Sequence, residues 1–301
     1  MKLILLWAMI INFIHAQDHQ EWRKHLVTKL QENSYAERPH ANTTTPVVIE
    51  PQIKVIHIYG VNYEDQTYTI TGYFRQTWYD ERLKYNINIP DNSTDSKYLL
   101  FTKNDGIWLP DTFFSNSISH KDRSSNNKDH NHAYHYLRVW PDGKVLYSQM
   151  IDLKLNAFLE LKYYPYHITL PIIVLESYGY SADDLTYKLP NKNEPLKFEE
   201  RTLNTPAYQI YTDKTMSSAN IAKYDTGQFS IINYSFKLIP TRVQNLLSIL
   251  VPVTLLILAN GISFWFPVYK MFTNRIAIGM TSLPLAGKEQ HRLAVLVLHP
   301  R

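Results

Sequence analysis

The sequence predicts a mainly β protein: an immunoglobulin-like antiparallel β-sandwich with a short N-terminal helix, followed by α-helical transmembrane segments. Three observations predict it. Short runs of alternating apolar and polar residues recur between residues 67 and 238, with turn signals between them. The 301 residues include 22 tyrosines and 12 phenylalanines, side chains that fit a pleated, half-buried surface. An uncharged apolar run, Val243 to Phe266, follows the last alternating segment.

The elements follow in order. Residues 1–16 combine Lys2, an apolar stretch from Leu3 to Ile14 and the small Ala16. This is the pattern of a secretory signal peptide cleaved after Ala16. Residues 18–33 place Trp22, Leu26 and Leu30 on one helical stripe. A Pro- and Thr-rich linker at 34–52 follows. In "YTITGYFRQTW", Tyr68, Ile70, Phe74 and Trp78 face one way; Thr67, Thr69, Thr71, Tyr73, Arg75 and Thr77 face the other. In "VLYSQMIDLKL", Val145, Tyr147, Ile151, Leu153 and Leu155 point to the core, and Ser148 points out with Met150, Asp152 and Lys154. In "SIINYSFKL", Ile232, Tyr234, Phe236 and Leu238 form an inner face. Asn233 then points outward, as a glycan requires. It begins one of three acceptor sequons, at Asn42, Asn92 and Asn233.

The absence of cysteine from an exported chain rules out a disulfide-stapled fold, so the domain must be large and well packed. A formal charge of +4 with no basic stripe gives no nucleic-acid footprint. His120, His130, His132 and His135 cluster in or beside a polar segment, but no third ligand is fixed by spacing, so a solvated loop is the better reading and no metal is expected. No cofactor is expected either. There is no nucleophile elbow, metal word or phosphate loop, which argues against an enzyme.

The run from Val243 to Phe266 is long enough to span a bilayer, tolerates Pro252 there, and has Arg242 before it and Lys270 and Arg275 after it. With the N-terminal domain outside, the later cations face the cytoplasm. The expected organisation is signal peptide 1–16, extracellular domain 17–241, first span 242–266, linker and start of a second helix 267–283, and divergent tail 284–301.

Specific words then appear in order: "YFRQTWYDERL" (73–83), "IWLPDTFFSNS" (107–117), "WPDGKVLYS" (140–148), "LKYYPY" (161–166), "LESYGYSADDL" (175–185), "YDTGQF" (224–229) and "SFW" (263–265). Together they resemble the pentameric ligand-gated ion channels, the Cys-loop receptors, over residues 18–283. The resemblance is nearest to anion-channel subunits gated by glutamate, GABA or glycine. It implies a homo- or hetero-pentamer in the plasma membrane, with a small amino-acid neurotransmitter bound outside the cell between subunits.

The resemblance also implies residue roles. Tyr73, Arg75 and Ser148 belong to the complementary face, where Arg75 would pair with an agonist carboxylate. Phe113, Glu176, Ser177, Tyr178, Tyr224, Thr226 and Phe229 belong to the principal face, where rings would hold an ammonium group. Trp108, Pro110 and Asp111 match a structural motif. The stretch 157–171 corresponds to the family's coupling loop. Ala157 and Pro171 stand at the positions of its two cysteines, Tyr164 and Pro165 are kept, and His167 replaces an acid. A cross-link closing about 15 residues would contribute about 3 kcal/mol; here packing must replace it. After Leu283 the match ends, with Pro284 where a pore-facing leucine is usual. The chain as given is therefore expected to be a truncated or mis-spliced product that forms no pore alone. The alternative function is a channel-less, tethered or secreted ligand-binding protein, or a dominant-negative subunit. Anion selectivity is left open by Thr273 and Asn274.

Overall fold

The computed structural model describes residues 24, 28, 37–41, 43–62, 65–85, 98–102, 106–122, 135–156, 168–190, 194–263 and 265. The helical stripe of Trp22, Leu26 and Leu30, the leader at 1–16, the sequons at Asn42 and Asn92, and everything after Trp265 lie outside the described residues.

In chain order the elements are β1 (Val47–Asn62), β2 (Thr67–Tyr79), β3 (Leu99–Phe101), β4 (Thr112–Phe114), β5 (Ser117–Asp122), β6 (His135–Val139), β7 (Lys144–Asn156), β8 (Ile172–Ser177), β9 (Leu185–Tyr187), β10 (Leu196–Phe198), α1 (Glu200–Leu203), β11 (Tyr208–Tyr211), β12 (Ser217–Tyr224), β13 (Gly227–Ser235), β14 (Lys237–Pro240) and α2 (Arg242–Ser263). The larger sheet runs β10-β1-β2-β7-β6-β3, with β5 also on β7 and β9 also on β1. The smaller runs β12-β13-β8-β4. Most pairings are antiparallel, but β1 pairs in parallel with β9 and β10, which corrects the purely antiparallel expectation. Both strands reach β1 after long connections, not tight hairpins, which leaves their direction free.

The core lies between the two sheets. The inward residues of β2, namely Tyr68, Ile70, Phe74 and Trp78, are each 1% exposed, and Val145, Ile151, Leu153 and Leu155 of β7 are fully buried. They meet Ile173 and Leu175 of β8 and Ile232 and Tyr234 of β13. Ring pairs join the layers: Phe74 packs edge-on to Phe114 at 5.1 Å, and Trp78 to Trp108 at 5.9 Å. The outer face of β2 is less open than alternation alone implies. Thr67 and Thr71 are buried, and Thr71 Oγ1 donates to Asp152 Oδ1 at 3.1 Å. Tyr147, expected in the core, is half-buried and packs against it.

The turn at Pro141-Asp142-Gly143 joins β6 to β7. Gly143 has φ +83°, and a Cβ there would sit 2.6 Å from the Asp80 carbonyl oxygen, so only glycine fits.

Tyrosine hydroxyls cross the sandwich. Tyr68 donates from β2 to the Ile172 carbonyl at 3.1 Å, and Tyr234 from β13 to the Pro51 carbonyl at 2.7 Å. Burial pushes both hydroxyls far above the ordinary phenol range, so they remain donors. Asn116 does similar work at the flanks of the 157–171 stretch. Its Nδ2 donates to the carbonyls of Asn156 and Ile172, at 3.0 and 2.7 Å, and its Oδ1 accepts from Val174 N at 3.1 Å. One side chain therefore ties the strand before that stretch to the strand after it. Ala157, Tyr164, Pro165 and His167 lie outside the described residues. Pro171 is buried, and its carbonyl accepts from Phe236 N at 3.3 Å.

Helix α2 has 22 residues with Pro252 inside it, about 33 Å at 1.5 Å per residue. Leu255, Ile257, Leu258 and Ile262 are each 60–65% exposed. No helix among the described residues is long and apolar enough to cross a membrane; in α2 the side chains are described only from Leu250 onward.

Candidate functional site

Two groups of side chains lie on the outer surfaces of the two sheets. The first is on the larger sheet. Arg75 pairs with Ser148 across β2 and β7, and with Gln52 across β1 and β2, so all three share one rung and one face. Tyr73 lies on the next rung, opposite Met150. The guanidinium Cζ of Arg75 stands 5.7 Å from the centre of the Tyr73 ring. Its Nε–H is buried and meets no acceptor among the described residues. A buried, unsatisfied cationic donor is costly. Ser148 points outward as expected but is 2% exposed, because Arg75 and Tyr136 flank it on its own rung.

Sequence reasoning missed a second arginine on this face. Arg138 of β6 lies between the rings of Tyr98 and Tyr136, with Cζ at 4.6 and 4.8 Å from their centres. Its Nε is also buried and without an acceptor among the described residues. The alternation of Tyr136 and Arg138 in "HYLRV" was the available signal.

The second group is on the smaller sheet. Phe113 of β4 pairs with Glu176 of β8, and Ile231 of β13 lies on the other side of Glu176. Phe113 and Tyr178 meet edge-to-face at 5.7 Å; Tyr224 and Phe229 are 5.9 Å apart across the β12–β13 hairpin. Tyr178 is 80% exposed and Glu176 only 7%. The Tyr224 hydroxyl lies by the Glu176 carboxylate; burial, then hydrogen bonding to Glu176 and the Glu176 charge, raise its pKa. The result is a shallow set of rings around one carboxylate, suited to a cation. Thr226 is exposed in the hairpin turn. Ser177 behaves differently from its neighbours. It is 2% exposed, and its hydroxyl donates to Asp111 Oδ1 at 2.6 Å while accepting from Tyr180 N at 3.1 Å. Asp111 Oδ2 accepts from Gly179 N at 2.6 Å, so Asp111 and Ser177 together shape the turn that presents Tyr178. Trp108 Nε1 braces the same turn through Tyr180 OH at 3.1 Å.

Among the described residues, no group of three His, Cys, Asp or Glu is placed to hold a metal ion. His135 packs its ring near Tyr147 at 6.3 Å, and His130 and His132 lie outside the described residues.

The larger sheet thus carries a cationic outer face and the smaller an aromatic, acidic one. The chain belongs to the neurotransmitter-gated ion-channel ligand binding domain family, whose pattern matches residues 23–242. This family consists of receptors, not enzymes. Among curated proteins, the chain is 29% identical over 238 residues to the gamma-aminobutyric acid receptor subunit beta-4 of Gallus gallus, covering 79% of this chain and 46% of the relative. It is 28% identical over 241 residues to the glutamate-gated chloride channel of Drosophila melanogaster, covering 80% of this chain and 50% of the relative. The chain thus spans about half the length of the curated relatives it matches.

Proposed function

We propose that this chain is the agonist-binding part of an amino-acid-gated, anion-type channel subunit that works as a homo- or hetero-pentamer at the plasma membrane. The observation that carries the reading is Arg75, set on one rung with Ser148 and holding a buried Nε–H with no acceptor among the described residues. A guanidinium so placed fits a carboxylate, which accepts two parallel hydrogen bonds from it. The rings of Phe113, Tyr178, Tyr224 and Phe229, with the Glu176 carboxylate, suit an ammonium group. A zwitterionic amino acid carries both charges.

The two groups lie on different sheets of one chain, so one ligand meets both only where two subunits abut. The complementary face of one subunit then faces the principal face of the next. A head-to-tail contact of this kind closes into a ring. Thr226 at the tip of the hairpin closes over the ligand, and Ser177 acts by holding the Tyr178 turn. Agonist binding shifts the population toward the closed-hairpin form only if that form binds more tightly. Motion then passes through the 157–171 loop to the membrane. Residues 17–241 form the extracellular domain, and 242–266 form the first span. The apolar side chains exposed on α2 support that span, since such a helix face is unfavourable in water.

The test is equilibrium binding of radiolabelled L-glutamate, GABA and glycine to membranes of cells expressing the chain. Saturable binding of one of them, abolished in Arg75→Ala, is expected. Absence of saturable binding by all three, with the chain at the surface as an oligomer, would overturn the reading.

A further inference from the structure

A chain of polar groups, buried except for half-buried Thr112, crosses the sandwich directly behind the two candidate ligand faces. Thr112 Oγ1 donates to Gln76 Oε1 at 2.7 Å and lies 2.8 Å from Tyr187 OH. The Tyr187 backbone N–H donates to Ser230 Oγ at 2.9 Å. Gln76, Tyr187 and Ser230 are only 2–3% exposed and Thr112, which joins them, is half-buried, so solvent can replace few of the partners. Thr112 spends its proton on Gln76, which leaves Tyr187 as donor to Thr112. Burial raises the Tyr187 hydroxyl far above the ordinary phenol range and keeps that proton in place. The side-chain bonds therefore run from Tyr187 through Thr112 to Gln76, the first polarising the second, while the Tyr187 backbone N–H ties Ser230 separately.

The members of this chain have particular neighbours. Gln76 follows Arg75, Thr112 precedes Phe113, and Ser230 follows Phe229. Successive side chains on a strand point to opposite faces. Each of these three is thus the inward-pointing neighbour of an outward-pointing candidate ligand residue. Arg75 is on β2 of the larger sheet; Phe113 and Phe229 are on β4 and β13 of the smaller. Backbone ladders join neighbours within each sheet but not β2 to β4 or β13.

We infer that Gln76, Thr112, Tyr187 and Ser230 are positioning residues: their inter-sheet bridge fixes the complementary face of a subunit relative to its own principal face. In a ring those two faces belong to two different ligand sites. The bridge then links each site to the next through the body of the shared subunit. This rests on the interfacial agonist reading above. The alternative is a satisfied polar cluster that supports the whole fold evenly.

The experiment uses the full chain in detergent-solubilised membranes and has two arms. In the first, without ligand, amide hydrogen exchange is compared between wild type and Thr112→Val. Exchange is expected to rise together in the segments around Arg75, Phe113 and Phe229, while the β1–β10 pairing at Ile53–Val55 keeps its wild-type protection. In the second arm, binding of L-glutamate, GABA and glycine is measured separately. For whichever binds wild type, Thr112→Val weakens affinity about tenfold and Thr112→Ser changes it by less than about twofold. Tyr187→Phe removes only the middle link, between its hydroxyl and Thr112, and keeps the backbone N–H bond to Ser230. It serves where Thr112→Val does not fold, and the double variant is no worse than Thr112→Val alone. A uniform rise in exchange, no rise at all, or an unchanged affinity in folded Thr112→Val overturns the inference. If none of the three amino acids binds wild type, the agonist reading fails, and the exchange arm alone decides whether the bridge positions the faces.

Discussion

The two candidate faces are built in opposite ways. Arg75 and Ser148 stand near the middle of β2 and β7, thirteen-residue strands bonded to each other along their whole length. The principal-face residues come from strand ends and turns: Phe113 from three-residue β4, Tyr178 from the turn after β8, Tyr224 and Phe229 from either side of a hairpin whose edge strand β12 is largely exposed. A guanidinium must be held in a fixed plane to pair with a carboxylate. Rings around an ammonium tolerate more movement, and a closing hairpin requires it. On the interfacial reading proposed above, the rigid face would set orientation and the adaptable face would report occupancy.

The largest expected effect breaks the rigid platform. Trp78 is 1% exposed and packs on Trp108, so Trp78→Ala should destabilise the domain by about 3–5 kcal/mol, read from denaturant unfolding. Next comes Arg75→Ala, which should leave the fold intact and weaken amino-acid binding at least about a hundredfold. Arg75→Lys should rescue little of that loss, because an ammonium lacks the planar fork. Tyr178→Phe, on the adaptable face, should cost much less than Arg75→Ala in the same assay. If the two losses are equal, the contrast between the faces is wrong.

Asn116→Ala tests the tie across the 157–171 flanks. It removes three hydrogen bonds, and about 2 kcal/mol of stability should go with them. Faster exchange at Val174 N–H would show the loss is local to that tie.

The smallest effect concerns Glu199, whose hydrogen bond and ion pair with Lys54 hold its carboxyl below the usual range. A depressed carboxyl stabilises the fold above its unfolded-state pKa, and the contribution disappears as pH falls through the lower folded-state value. Glu199 is half-exposed and its ion pair is screened by solvent, so Glu199→Gln should barely move the melting temperature at neutral pH and slightly flatten its fall in acid.

Much of this architecture is legible in the chain. Period-two alternation placed Tyr68, Ile70, Phe74 and Trp78 inward, because one face of β2 is buried along its length. The same alternation put Arg75 and Ser148 on outer faces, although not opposite each other, since register depends on partners far away in sequence. Burial of Thr67, Thr71 and Ser148 was not legible, because neighbouring strands and side chains cover them. The polar bridges were invisible for a similar reason. Thr112 reaches residues 36 and 75 positions away, and Asn116 reaches 40 to 58. Such contacts leave no local pattern. Ser177 shows the opposite failure: it stands among the candidate ligand residues in sequence, while its hydroxyl is engaged with Asp111.

The central claim is that one ligand needs two copies of this fold, each supplying a different face. Complementation in cells tests it most directly. Arg75→Ala and Tyr178→Ala chains are expressed separately and then together, and saturable binding of the amino acid that binds wild type is counted per surface oligomer. Each variant alone should lose binding. Together, about a quarter of randomly formed interfaces should pair an intact Arg75 face with an intact Tyr178 face and bind at wild-type affinity. Co-expression that restores no sites, although mixed oligomers form, would contradict an interfacial ligand.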